Sequence, residues 1–323
     1  MSATIQARGV AAAFGDRELF SGLDLVVAPG DVVGLVGPNG AGKSTILRLL
    51  AGLRAPDAGS VTVSPRDAHL GFLTQQPEAR PGETIRGQVL RRTGVADAST
   101  RMEAAAEQLA TGDPAADEAY AVALDTWLAL GGADVEERLD VVTADLGLRV
   151  DLDREVRSLS GGQKRRVDVG LGIIGRPELL FLDEPTTGFD PQARRDFWQL
   201  IRSLADEGTT IVLTTHYLDE AEALADRVGV IAGGKLLALD TPTGLGGRDT
   251  EEATIVWEEA GTRHTLRSAE PTAEVGRLSA RFGGEVPGLQ VTRPSLEDVY
   301  LELIRPHVDA DALAAGSTTG EVA

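Results

Sequence analysis

Three features of the chain predict an α/β protein built around a parallel sheet. Asp31-Val-Val-Gly-Leu-Val36 reads as a buried strand that enters a Gly-rich loop, and Thr45 to Ala51 reads as the helix beyond it. Leu179-Leu-Phe-Leu182 and Thr210-Ile-Val-Leu-Thr214 are continuous apolar runs, the pattern of parallel strands covered on both faces. Residues 194 to 206 and 218 to 226 read as helices between such strands, so strand and helix alternate from 160 to 232.

The remaining elements follow in order. Residues 1 to about 80 alternate short apolar runs with Gly, Pro and Asp, which predicts strands and turns. From about 97 to 150 the pattern is helical. Thr100-x-x-Glu103 offers a capping box, and Asp113-Pro114 offers an N-cap with Pro at the first helical position. Tyr120, Leu124, Trp127 and Leu128 fall on one helical stripe, which reads as core packing. A Gly-rich break at Gly244 to Asp249 suggests a domain boundary. Beyond it come a strand at Ala253 to Trp257, a helix at Ala273 to Phe282, a strand at Leu289 to Thr292 and a helix begun by Ser295-x-x-Asp298. The expected organisation is a main α/β domain over 1–245, with a helical subdomain over about 85–170. A small α+β accessory domain covers 246–306, and the small, polar stretch 307–323 is a disordered tail. No internal repeat is present.

Composition narrows the function. A chain of 323 residues carries a prior of about two domains at roughly 150 residues each. Its formal net charge of −19 weighs against a protein that wraps nucleic acid over a large area, since that needs a basic face. A local basic patch stays open. With no Cys, disulfides, zinc–thiolate sites and thiol catalysis are excluded, and a cytoplasmic setting fits. The densest apolar stretch, Val167 to Leu182, is interrupted by Asp168 and by Arg176-Pro177-Glu178, too broken to span a membrane. The first residues lack the basic start and apolar run of a secretory signal. Any membrane role is therefore expected to come through a partner chain.

Chemistry concentrates in three segments. Gly37-Pro38-Asn39-Gly40-Ala41-Gly42-Lys43-Ser44-Thr45 matches G-x-x-x-x-G-K-[ST] and lies between a strand and a helix, where a phosphate-binding loop must lie. Its glycines let backbone N–H groups converge on phosphate oxygens, and the helix N-terminus faces the same anion. Lys43 would reach the β- and γ-phosphates, and the Ser44 hydroxyl would ligate Mg²⁺. Asp183-Glu184 ends an apolar strand, which places two carboxylates at the sheet edge where ligands bind. Asp183 would hold Mg²⁺ through its water shell, and Glu184 would polarise the water attacking the γ-phosphate. Leu159-Ser160-Gly161-Gly162-Gln163, followed by Lys164-Arg165-Arg166-Val167, reads by itself as a capped, anion-binding helix start.

Phosphate loop, Leu-Ser-Gly-Gly-Gln signature, acidic pair and a later His together resemble the nucleotide-binding subunit of the ATP-binding-cassette (ABC) family. The resemblance covers residues 5 to about 240. Ser160 and Asp183 are 23 residues apart, and Asp183 and His216 are 33 apart, as that family spaces them. It implies a P-loop NTPase of ABC type, with an antiparallel β subdomain and a helical subdomain, that hydrolyses ATP with Mg²⁺. Phe14 resembles the aromatic that stacks on adenine. Gln75 resembles the glutamine that touches Mg²⁺ and the attacking water, with Gln76 as its adjacent rival. Thr187-Gly-Phe-Asp190 resembles the loop that crosses between cassettes, with Phe189 where Leu is usual. His216 resembles the switch histidine at the γ-phosphate. A single phosphate loop and a single signature imply a homodimer or heterodimer of cassettes, in which Ser160, Gly161, Gly162 and Gln163 act in trans on the partner's ATP.

Two branches of the family are resembled. The 85 residues from Gln75 to Ser160, with Trp127-Leu-Ala-Leu-Gly-Gly-Ala-Asp134, look like the first cassette of translation-associated, ribosome-binding ABC proteins. Those proteins carry two cassettes, and Asn stands where this chain has Thr187. The segment from Gly161 to Asp240, including Thr215-His-Tyr-Leu-Asp-Glu-Ala-Glu222, resembles the ATPases of multidrug and antibiotic exporters. So does Pro294-Ser-Leu-Glu-Asp-Val-Tyr300, which there belongs to a regulatory domain. The expectation is an exporter ATPase at the inner face of the cell membrane, working with a separate transmembrane permease. The alternative is a cassette acting in translation or ribosome protection. A recombinant of the two branches, or an exporter ATPase with a long helical subdomain, would account for both sets of features.

Overall fold

The structure, a computed structural model, describes residues 3–15, 17–66, 68–73, 80–110, 116–175, 177–248 and 251–317. It opens with β1 (Thr4–Phe14), β2 (Arg17–Val27), β3 (Val32–Val36), α1 (Lys43–Leu50), β4 (Ala58–Ser64) and β5 (Leu70–Leu73). Helices α2 (Ile85–Arg92), α3 (Val95–Ala110), α4 (Ala116–Ala129) and α5 (Val135–Asp145) follow, and a 3-10 turn leads into α6 (Gly161–Ile173). Alternation resumes with β6 (Leu179–Asp183), α7 (Pro191–Asp206), β7 (Thr210–Thr215), α8 (Leu218–Leu224), β8 (Arg227–Ala232) and β9 (Lys235–Asp240). A second 3-10 turn precedes β10 (Ala253–Glu259), β11 (Thr262–Ser268), α9 (Pro271–Phe282), β12 (Gln290–Thr292) and α10 (Leu296–Ser317).

The central sheet has the order β5-β6-β7-β3-β8-β9, parallel except for β9. Strands β3, β6 and β7 are buried at every position. On one face α1 and the antiparallel sheet β2-β1-β4 enclose Val33, Leu35 and Phe181. On the other, Val169 and Ile173 of α6 and Phe197 and Ile201 of α7 cover Leu180, Leu182 and Leu213. Two covered faces favour apolar side chains along the middle of each strand, and the buried polar residues, Asp183 on β6 and Thr210, Thr214 and Thr215 on β7, stand at strand ends. Because β6, β7 and β3 are neighbours, their carboxyl ends lie side by side, at the edge where open parallel sheets bind ligands.

The helical region packs around Ile85, Val156 and Val167 and around Val89, Val135, Leu139 and Ile174. Thr100 does not open a helix, because α3 already starts at Val95. Its hydroxyl instead donates to the Ala96 carbonyl one turn back, at 3.0 Å. Asp113 and Pro114 lie outside the described residues. The stripe on α4 is narrower than its periodicity predicts. Trp127 is half-buried and donates through Nε1 to Ser99 Oγ at 2.9 Å, while Leu128 is exposed.

In the C-terminal region the sheet β11-β10-β12 packs Ile255 and Trp257 against Leu278 of α9. The strand β11 escapes sequence reasoning because its residues, TRHTLRS, are mostly exposed on an edge. Ser295 and Asp298 cap α10 reciprocally. The Ser295 N–H donates to Asp298 Oδ2 at 2.8 Å, and Ser295 Oγ accepts from the Asp298 N–H at 3.1 Å. From there α10 returns to the central sheet, where Leu296, Val299 and Ile304 join Val36, Ala221 and Val230 in one cluster. It remains helical to Ser317, within the stretch whose composition predicts disorder. Among the described residues no helix is long and apolar enough to cross a membrane.

Candidate functional site

The loop after β3 turns sharply into α1. Its last residue, Gly42, caps the helix at φ 92°, a left-handed conformation that side chains disfavour. Lys43 is buried, and its ammonium donates to the Gly37 carbonyl at 2.8 Å and the Pro38 carbonyl at 3.1 Å. Burial pushes its pKa down, and the carboxylates of Glu184 and Asp183 act against that. A cavity of about 520 Å³ opens beside Pro38, Asn39, Gly40 and Ala41.

Asp183, the last residue of β6, is fully buried. Its Oδ1 accepts from Ser44 Oγ at 2.9 Å and from Thr214 Oγ1 at 2.7 Å. Its Oδ2 has no hydrogen-bond partner among the described residues. A buried carboxylate oxygen left over beside a serine hydroxyl fits Mg²⁺, a hard cation that takes few protein ligands and completes its shell from phosphate and water. Among the described residues no group of three or more His, Asp or Glu could hold a metal ion by itself. The donor set therefore suits a cation that arrives with phosphates.

Glu184 stands immediately beyond, at φ 48°, one of two non-glycine residues with positive φ among those described. Such a conformation persists only where the surroundings over-determine it. Here its N–H donates to the carbonyl and the hydroxyl of Thr214, each at 3.1 Å. On the other side the buried Arg165 of α6 donates to three successive carbonyls, Asp183 at 2.5 Å, Glu184 at 2.8 Å and Pro185 at 3.1 Å. His216, just past β7, places Nδ1 3.5 Å from Glu184 Oε2. Lys43, Ser44, Asp183, Glu184 and His216 thus meet at one sheet edge.

The other expected residues are placed apart. Ser160 caps α6 reciprocally with Gln163: Ser160 Oγ accepts from the Gln163 N–H at 3.3 Å, and the Ser160 N–H donates to Gln163 Oε1 at 3.0 Å. None of Ser160, Gly161, Gly162 and Gln163 lines the cavity beside the chain's own phosphate loop. Phe14 ends β1 with its ring 77% exposed. Gln75 and Gln76 lie outside the described residues. Sequence reasoning misses Thr214 and Arg165. The parallel register that sets Thr214 opposite Asp183 is a tertiary fact, and Arg165 reads as one more cation in a basic helix start.

One turn beyond Arg165, Asp168 is buried, and its Oδ2 has no partner among the described residues. Burial pushes its pKa up from 3.8 to about 7, against the opposing charges of Arg165 and Arg92. A carboxyl that keeps its proton longer when folded contributes stability that is full below about pH 4 and lost as pH rises towards 7. Asp168→Asn should therefore gain stability relative to the parent chain as pH rises from 4 to 7, reaching a few kcal/mol and then levelling off. Urea unfolding of both chains across that range checks this, and a difference independent of pH would overturn it.

The ABC transporter family model matches residues 20–187. The daunorubicin/doxorubicin resistance ATP-binding protein DrrA of Streptomyces peucetius is 34% identical over 98% of this chain and 89% of that protein. The Nod factor export ATP-binding protein I of Cupriavidus metallidurans is 36% identical over 94% of this chain and 98% of that protein. A solved structure described as the ATP-binding subunit of an ABC transporter superposes with a TM-score of 0.59 at 21% identity. It covers 93% of this chain and 98% of the other, and it bears on the fold alone. With its phosphate loop, acidic strand end and these relatives along nearly its whole length, the chain belongs to the ABC transporter family, as an ATP-binding subunit and an ATPase.

Proposed function

We propose that this chain powers an exporter of drug-like or antibiotic-like molecules, as a head-to-tail pair of cassettes docked on a separate membrane permease. The observation that carries the ATPase mechanism is Glu184, fixed beside the Ser44–Asp183 pair with His216 3.5 Å from its carboxylate. The names of the relatives, a drug-resistance subunit and a Nod factor export subunit, support the exporter reading.

In this reading the backbone of Gly37 to Thr45 holds the phosphates, Lys43 offsets their charge, and Phe14 stacks on adenine. Ser44 and Asp183 hold Mg²⁺, with Gln75 as a further ligand; when bound, the ion neutralises charge on the phosphate oxygens. Glu184 takes a proton from the attacking water, and His216 orients the γ-phosphate. The signature Ser160 to Gln163 faces the partner's nucleotide, in keeping with its absence from the walls of its own phosphate-loop cavity.

Two measurements test this. Ser160→Arg should still bind ATP but lose turnover, and mixing it with Lys43→Ala should restore part of the activity, because one composite site in that heterodimer is intact. No recovery of either turnover or ATP-driven dimers would overturn the head-to-tail arrangement. Expressed in its own host, the chain should sediment with membranes and leave them in detergent together with a multi-span protein. Recovery entirely free of membranes would overturn the exporter role.

A further inference from the structure

The cavity beside the phosphate loop has one wall that comes from the far end of the chain. Glu18 and Leu19 of β2 form one side, Pro38 to Ala41 another, and His307 of α10 a third. The position of His307 is built in. Leu296, Val299 and Ile304 anchor α10 in the cluster around Val230 and Ala221, so its last anchored turn ends at the β8–β9 turn. There Gly233, at φ 55°, lets the ring approach the backbone; a Cβ on Gly233 would stand 2.4 Å from His307 Nδ1. The next residue is tied to the opposite wall, since the Ser21 N–H donates to the Gly234 carbonyl at 3.2 Å. Among the described residues neither imidazole nitrogen is engaged in a hydrogen bond or ion pair.

The chemistry of this wall differs from that of the loop. The loop presents N–H groups and Lys43, which suit phosphate. The facing wall carries the Glu18 carboxylate, which repels phosphate and accepts from hydroxyls, and an imidazole, which can both donate and accept. We propose that His307 is a nucleotide-binding residue contributed by the C-terminal helix, and that with Glu18 it recognises the sugar hydroxyls of ATP. This rests on the reading that the phosphates occupy the loop of Gly37 to Thr45. It makes α10, which leaves the accessory sheet to reach this cavity, part of the nucleotide site.

Equilibrium binding of ATP and of tripolyphosphate, which has no sugar or base, tests the assignment. His307→Ala should weaken ATP about 3- to 10-fold, the scale of one lost hydrogen bond, and leave tripolyphosphate unchanged. Gly233→Ala, which displaces the ring without altering it, should weaken ATP in the same way, and His307→Gln should recover part of the loss. Thermal unfolding of each variant verifies that α10 stays docked. Unchanged ATP affinity in His307→Ala would overturn the proposal, as would an equal loss for ATP and tripolyphosphate. Failure of the underlying reading looks different: Lys43→Ala would then leave both ligands bound as tightly as before.

Discussion

Glu184→Gln is expected to bind ATP normally and to hydrolyse it about 10²–10⁴-fold more slowly, the usual cost of losing a general base. The substitution keeps size and most hydrogen-bonding capacity while removing charge and basicity. The backbone that positions residue 184 is untouched, because the Glu184 N–H donates to Thr214 and Arg165 donates to the Glu184 carbonyl, both at the main chain. Lys43, Ser44 and the loop also remain, so binding survives and the closed ATP-bound pair should accumulate. Size exclusion should give a larger species with Mg-ATP and none with ADP. Turnover must be compared within the same assembly for both chains, with the permease present or absent in each. Hydrolysis within a few-fold of the parent chain, with no trapped pair, would leave Glu184 as a helix-approach residue and move the base elsewhere.

Lys43→Ala is expected to reduce ATP affinity by about 2–5 kcal/mol, the range for truncating one partner of a buried charge pair. The structure adds a second reason for a large effect. The ammonium is buried and donates to the carbonyls of Gly37 and Pro38, so it also braces the loop that leads into α1. Its loss should therefore weaken tripolyphosphate as well as ATP. Titration with a fluorescent ATP analogue reads the effect, and affinity within threefold of the parent chain would contradict the role given to Lys43.

The parts of the fold legible in the sequence are those whose burial imposes a pattern. β3, β6 and β7 are covered on both faces, and polar residues stand only at strand ends, Asp183 on β6 and Thr210, Thr214 and Thr215 on β7. The cap at Ser295 and Asp298 is a local interaction, so spacing alone reveals it. The cap read at Thr100 fails for the same locality. Thr-x-x-Glu occurs inside α3 as readily as at a helix start, and only the chain upstream decides. In the site, residues that act through a motif are visible, and residues that act through strand register or helix docking are not. Thr214 is bonded to Asp183 because β6 and β7 are parallel neighbours, and His307 reaches the loop cavity because α10 turns back. Neither relation leaves a mark on the local sequence.

Arg165 has a mechanical consequence. Its guanidinium fastens the first turns of α6 to the main chain from Asp183 to Pro185. The helix that begins at Ser160 and the strand end that carries Glu184 are therefore joined through one side chain. A displacement of α6 would load a backbone already held at positive φ, next to the Glu184 carboxylate. In a head-to-tail pair, the signature engaging the neighbour's nucleotide would be geared to the chain's own carboxylate. The two sites would then keep time through a single side chain, each setting the other's readiness to fire.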